Sequence, residues 1–450
     1  MTSSLGVTTS VESWRDRQRQ SGHLVRHTMS YAQVLDLLLS FAVALALIRG
    51  ARLWYGWPTS QNEFVSKVEI HEQFMLLVPL AISLVYALFR WDTIKDYIRK
   101  PGIATLIFLF FLLYSVLASV DLVKSARGLL AVAALSIPAL LYRWRFQSVA
   151  TLIFVQKVAC AIIVVNIVYI VLFPHYAYMS GSLEGDMRGM FPHKNGFGHT
   201  MAAFTIFLLP VAGEFRRPSS WTFTKLFCFA VACLFVVTSH SSTAVFQVIV
   251  GISAAVGAAF IGNIPKYSVR GLLAISIFAL LLVAALFAGT GILGSLVGAV
   301  GKDMTFSGRS YIWAALIPHI FDYPMSGHGF SMFRDPSYTA YFLRNVPFSI
   351  NSPHSTYIEL LLNIGIPGGI AWFTVVLSRV YLKMVRVADS AEQAIAKRRE
   401  IAIIVMTLVG SATESGQMLG PIDALSIFLL VLPMDRPWRP APSTRQAADR

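Results

Sequence analysis

Charge is what this chain has least of. Only 13% of its residues are Asp, Glu, Lys or Arg, against 56% apolar, and the mean hydropathy is +0.63. Soluble domains carry about 25% charged residues, so a soluble fold is excluded and a polytopic membrane protein is expected. Cysteine is nearly missing as well. Cys160, Cys228 and Cys233 all lie inside apolar runs, which rules out a disulfide framework in the loops. No His/Cys/Asp grouping has metal-ligand spacing, and there is no P-loop or dinucleotide fingerprint. No metal and no cofactor are therefore expected. Internal repeats and low-complexity stretches are also lacking. Transporters commonly show repeat symmetry and keep their sites at the bilayer midplane, so the missing repeat counts against transport.

What the chain does have is apolar runs. A helix needs about 20 residues to cross a bilayer. Twelve segments qualify: 31–49, 73–89, 103–120, 127–142, 149–172, 197–213, 221–238, 242–261, 271–290, 355–378, 401–413 and 421–434. The expected fold is all-α, with about 12 transmembrane helices and a large loop between the ninth and tenth. The last two runs are short, and the fourth contains Pro138. The first, preceded by Arg15, Arg17, Arg19 and Arg26, lacks a small-residue cleavage site and reads as a retained helix.

The net charge of +14 is not a nucleic-acid signal, because the basic residues fall in short loops between spans. With the N-terminus in the cytoplasm, one set of loops collects Arg90, Lys95, Arg99 and Lys100, then Arg143 and Arg145, then Arg216, Arg217 and Lys225, then Lys266 and Arg270. Six more basic residues lie from Arg379 to Arg399 and four follow Met434, while the opposite loop Thr413–Pro421 has none. By the positive-inside rule both termini are cytoplasmic. The layout is then a cytoplasmic segment 1–30, helices one to nine over 31–290, an outer loop 291–354 with short amphipathic helices, helices ten to twelve over 355–434, and a disordered cytoplasmic tail 435–450.

The outer loop spans 64 residues and gathers Lys302, Arg309, Arg334, Arg344, His319, His328 and His354. Loops longer than roughly 15 residues are usually functional. Cations and histidines beside a bilayer suit an anionic, lipid-linked substrate. Three clusters stand out. Arg188-Gly-Met-Phe-Pro-His193-Lys194-Asn195 leads into the N-terminus of the sixth span, where free N–H groups and the helix dipole favour anions. Interfacial snorkelling is the plainer reading, although cations are disfavoured on this face. Ser307-Gly-Arg309 opens an amphipathic segment in which Ile312, Ala315, Leu316 and Ile320 have helical spacing. It reads as a helix on the outer bilayer surface, kinked at Pro318, with Arg309 either gripping phosphate as a fork or simply solvated at a helix end. Asn351-Ser-Pro-His354 leads into the tenth span, placing an imidazole at the outer mouth of the bundle as a general base or as an idle interfacial group. Glu359 lies about a turn and a half deeper, too far round the helix to share His354's face. An ionisable group at that depth is a functional candidate. His328, in Gly-His-Gly, reads as loop filler, and Lys157, His199 and His240 read as groups facing the bundle interior.

Together these motifs resemble a known family. Ser-Gly-Arg309 followed by Trp313, then Pro324-Met-Ser-Gly-His-Gly329, then His354 ahead of Gly365-Ile-Pro-Gly368, is similar to the O-antigen ligase and polymerase superfamily. Arg188 with Pro-His-Lys-Asn195 and Gly196-Phe-Gly198 resembles its exopolysaccharide-polymerase branch, typified by succinoglycan polymerisation. Ser355, Asn363 and Ser242 depart from the family pattern, which often has Asn, an acidic residue and Arg there. The resemblance implies a bacterial inner-membrane glycosyltransferase that needs no metal and acts on the periplasmic side. It would transfer an undecaprenyl-pyrophosphate-linked glycan to the sugar hydroxyl of a second lipid-linked repeat unit. His354 would deprotonate the acceptor, and Arg188, Lys194 and Arg309 would bind the pyrophosphate. His193, Glu359, Arg334 and Arg344 would support them. Implied partners are the lipid-linked oligosaccharide, membrane lipids, a chain-length regulator and a flippase, with no nucleic acid. An O-antigen ligase acting on lipid A-core is the nearest alternative. A lipid-linked glycan flippase is another, and a non-catalytic scaffold would leave the clustered cations unexplained.

Overall fold

A computed structural model describes residues 29–48, 70–98, 102–211, 219–262, 309–330, 332, 352–415 and 423–433. The chain divides into two units, 1–38 and 39–450. In the first, the described residues open helix α1 (Tyr31–Ile48), where Ser30 and Gln33 cap each other reciprocally: the Ser30 N–H donates to Gln33 Oε1 at 2.8 Å, and the Gln33 N–H to Ser30 Oγ at 3.3 Å.

In the second unit the described residues are helical almost throughout, with no strand among them beyond a lone Tyr178–Met187 bridge. The helices are α2 (Ile70–Phe89), α3 (Trp91–Ile98), α4 (Ile103–Leu117), α5 (Leu122–Arg145), α6 (Ser148–Leu172), α7 (Lys194–Leu208), α8 (Ser220–Thr238), α9 (Ser242–Gly262), α10 (Arg309–Leu316), α11 (Thr356–Val385), α12 (Ala391–Gly410) and α13 (Asp423–Val431). Eleven of the twelve apolar runs coincide with a helix, and the run 271–290 lies outside the described residues. Among the described residues six helices are long and apolar enough to cross a membrane: α1, α5, α6, α8, α9 and α11. The chain is an all-α polytopic membrane protein.

Two helix starts differ most from the sequence reading. The fourth helix starts at Leu122 and runs through Pro138 to Arg145, because Asp121 caps it by accepting from the Lys124 N–H at 3.0 Å. The helix expected at 401–413 starts at Ala391, where Ser390 accepts from the Gln393 N–H at 3.2 Å. Its first two turns are charged, so an apolar-run count misses them.

Helix α11 is two helices across a break. Gly365 adopts φ 72°, ψ 176°, and Pro367 has no N–H to give. The Pro324–Gly329 segment docks in this break: the Ile366 N–H donates to the Pro324 carbonyl at 2.8 Å and the His328 N–H to the Leu362 carbonyl at 2.7 Å. A Cβ on Gly365 would stand 2.6 Å from the Met325 carbonyl oxygen. His328 is buried, with Nε2 donating to the His319 carbonyl at 2.8 Å. It is therefore a packed strut rather than loop filler.

The amphipathic segment also differs from expectation. Ile312, Leu316 and Ile320 pack on Leu362 of α11, so the apolar stripe faces protein instead of lipid. Pro318 does not kink a continuous helix, because α10 ends at Leu316 and a 3₁₀ turn, Ile317–Phe321, carries the chain on.

At the end of the bundle rich in arginine, Arg143 of α5 meets Glu400 of α12 at 3.1 Å, and Lys383 of α11 meets the same carboxylate at 2.6 Å. All three side chains are buried. Helix α12 then rises from Glu400 to Gly410, about 15 Å at 1.5 Å per residue. Its far end lies beside the N-termini of α7 and α11, where the candidate site is found.

Candidate functional site

The site assembles around a residue the sequence reading passed over, Glu414. It follows α12 in a short turn, and its backbone carbonyl accepts from Thr356, N–H at 2.9 Å and Oγ1 at 2.6 Å, which pins the turn to the start of α11. Its carboxylate takes Arg309 Nη2 at 2.7 Å and Asn195 Nδ2 at 3.2 Å, both on Oε1, with His199 Nε2 at 3.6 Å. Burial alone would raise this carboxyl. The nearby His199, Arg309 and His354 outweigh it and draw it down to about 2, so Glu414 is an anion at neutral pH.

Each side chain arrives on a different element. His193 caps α7, its Nδ1 accepting the Asn195 N–H at 3.2 Å. His199 lies one turn further along α7. Its Nδ1 donates to Gln247 Oε1 of α9 at 2.6 Å, because Gln247 commits its amide to the Met406 carbonyl at 3.3 Å. Gly198 lets α7 close on this partner, since a Cβ there would stand 2.8 Å from Ser239 Oγ. Arg309 opens α10. Trp313, one turn later, donates Nε1 to the Pro353 carbonyl at 3.0 Å and so ties α10 to the residue before His354.

His354 itself has φ 48°, a left-handed conformation uncommon outside glycine. Its Nδ1 is buried and without a hydrogen bond. Burial holds its imidazole below histidine's ordinary value, Glu414 opposes that, and Arg309 adds to it. His193 is lowered too, chiefly by burial and against the pull of Glu414. Both imidazoles are thus basic-form nitrogens at neutral pH, as a proton acceptor requires. Ser355, where the family often has Asn, caps α11 by accepting the Ile358 N–H at 3.5 Å, a role Asn fills equally well.

The other expected residues lie apart from this cluster. Lys194 pairs with Asp186 at 2.5 Å, and Asp186 also holds His240 at 2.6 Å. Burial raises the Asp186 carboxyl, but Lys194 and His240 bring it below its ordinary value. Arg188 donates to two backbone carbonyls, Tyr176 at 3.0 Å and Pro192 at 3.4 Å, bracing the lead-in to α7. Glu359 is buried within α11. Arg334 and Arg344 lie outside the described residues. Among the described residues no group of three or more His, Cys, Asp or Glu side chains is arranged to hold a metal ion.

In the sequence Glu414 is an acidic residue at the end of an apolar run, the kind of ionisable group that marks function by default, and Asn195 closes the motif that begins at Arg188; these are the signals by which both can be found.

A family model described as O-antigen ligase matches residues 227–373, a segment that includes both Arg309 and His354. No curated protein matches the chain.

Proposed function

We propose that the protein is an inner-membrane polysaccharide polymerase of the O-antigen ligase/polymerase superfamily, a reading supported by the match of residues 227–373 to the O-antigen ligase family model. It transfers a glycan from an undecaprenyl-pyrophosphate carrier to a sugar hydroxyl of a second lipid-linked repeat unit, on the periplasmic side. The observation that carries this reading is that Arg309 and His354 come within electrostatic reach of one buried carboxylate at the same helix ends. His354, kept unprotonated by burial, takes the acceptor proton as the new glycosidic bond forms and the bond to the pyrophosphate breaks. Arg309 neutralises the departing pyrophosphate, with Arg188 adding positive field from the neighbouring lead-in to α7 and Lys194, paired with Asp186, holding that lead-in in place. Cations do here what a divalent ion does elsewhere, so turnover persists in excess chelator. A flippase would supply the donor and a chain-length regulator would act on the product.

Polymerase and ligase share this chemistry and differ in acceptor. The Arg188–Asn195 motif, built into α7 at the site's edge, favours the exopolysaccharide polymerase. Deleting the gene tests this. Single repeat units left on the carrier, no high-molecular-weight exopolysaccharide and normal lipopolysaccharide are expected. Long polymer stranded on the carrier with bare lipid A-core would establish the ligase instead.

A further inference from the structure

Arg309 is not a free cation awaiting an anion. Its Nη2 lies 2.7 Å from Glu414 Oε1, and both side chains are largely buried, at 16% and 12% exposure. A buried guanidinium–carboxylate pair is a strong one and cancels its own charge. The same holds next door, where Lys194 is matched by Asp186 at 2.5 Å. A pyrophosphate reaching Arg309 must therefore displace a carboxylate already in place.

Resting on the reading of Arg309 as the pyrophosphate ligand, we propose that Glu414 is a built-in competitor for that pyrophosphate. Its carboxylate yields Arg309 when donor binds and retakes it to expel the lipid pyrophosphate product. The chemistry calls for such a group. Donor and product carry the same pyrophosphate, so Arg309 alone would grip both, and grip common to both ends of a reaction slows release without lowering the barrier. A competing carboxylate weakens both complexes and frees the product.

The turn is built for an exchange of side chain rather than backbone. Thr356 holds the Glu414 carbonyl through N–H and Oγ1, so the backbone stays fixed while the carboxylate moves about its own torsions. Asn195, the other group on Oε1, is neutral and able to receive a phosphate oxygen equally well. His199, one turn along α7 from Asn195 and held by Gln247 at 2.6 Å, stands 3.6 Å from the same oxygen.

The test is equilibrium binding of undecaprenyl pyrophosphate to the purified full chain in nanodiscs, with undecaprenol as the uncharged control. Glu414→Gln should bind undecaprenyl pyrophosphate about tenfold tighter than wild type, roughly the worth of one charge-assisted hydrogen bond. Its KM for lipid-linked donor should fall together with kcat, as product release slows. In an Arg309→Ala background the same change should give no gain, because the exchange runs through Arg309. Should Glu414→Gln not be recovered folded, Glu414→Asp keeps the charge at shorter reach and should give a smaller gain in the same direction. Unchanged or weaker binding in whichever of these variants folds, with kcat alone reduced, overturns the proposal and makes Glu414 a support for His354. If wild type and variant both bind undecaprenyl pyrophosphate no better than undecaprenol, what fails is the assignment of Arg309 to pyrophosphate.

Discussion

At the scale of single residues, the charge state of His354 sets the pH behaviour. Burial and Arg309 hold its imidazole below the ordinary value and Glu414 lifts it partway back. The base is lost as pH falls through that lowered value, so the acid limb of kcat/KM should lie below the roughly 6.5 of free histidine. Replacing Glu414 by Gln removes the lifting charge and should move the limb further toward acid, while a limb at or above 6.5 in wild type would exclude His354 as the base. His354→Ala should cut kcat by about 10²–10⁴ with the protein still folded, measured on purified enzyme with lipid-linked repeat unit. Arg309→Lys keeps the charge and loses the fork, and Arg309→Ala loses both. The expected losses in kcat/KM are clear for Lys and about 10²–10³ for Ala. Normal turnover in the Ala variant would move the clamp elsewhere. Arg309 and His354 were both legible from sequence, because a cation and a histidine at span entrances are exceptional among apolar residues. Glu414 was not, because what gives it meaning is a contact with Arg309 across 105 positions that no periodicity records.

At the scale of elements, the junction of the Pro324–Gly329 segment with the break in α11 fixes the chain that follows α10 to the helix that follows His354. Gly365 at φ 72° faces two carbonyls of the docked segment, a place where a methyl group meets both backbone strain and a clash. Gly365→Ala should cost about 1–3 kcal/mol, read as a lower melting temperature with activity falling in step. An unchanged melt would mean that the segment docks elsewhere. The helices themselves were legible because lipid leaves a chain little choice: backbone polar groups must be satisfied within each span, and an apolar run becomes a helix. What escaped was the polar part of that architecture. The first turns of α12 read as a charged loop, and the stripe Ile312–Leu316–Ile320 read as lipid-facing because an apolar stripe looks the same whether it meets lipid or Leu362.

At the scale of the whole molecule, the buried Arg143–Lys383–Glu400 group and the candidate site occupy opposite ends of α12, the arrangement the charge alternation along the chain leads one to expect. A cysteine at Asp322 should react with an impermeant thiol reagent added from outside, and one at Ser390 should not. Of the native cysteines, Cys160 and Cys228 are buried, and the half-buried Cys233 is replaced by serine beforehand. The reverse pattern would invert the topology and remove the periplasmic assignment. The Arg143–Glu400 pair then has a bearing on biosynthesis. Its members are 257 positions apart, and at about 5–20 residues per second Glu400 is made roughly 13–50 s after Arg143. Until then Arg143 waits in the nascent chain without that carboxylate, as Lys383 does for a shorter time and Arg309 does for Glu414. The carboxylates that settle these cations both come from α12 and the turn behind it, so a chain arrested before that helix lacks both the lock at one end of the bundle and the site at the other. A late step in closing the described bundle is therefore the arrival of α12 and its following turn, on which both charge pairs depend.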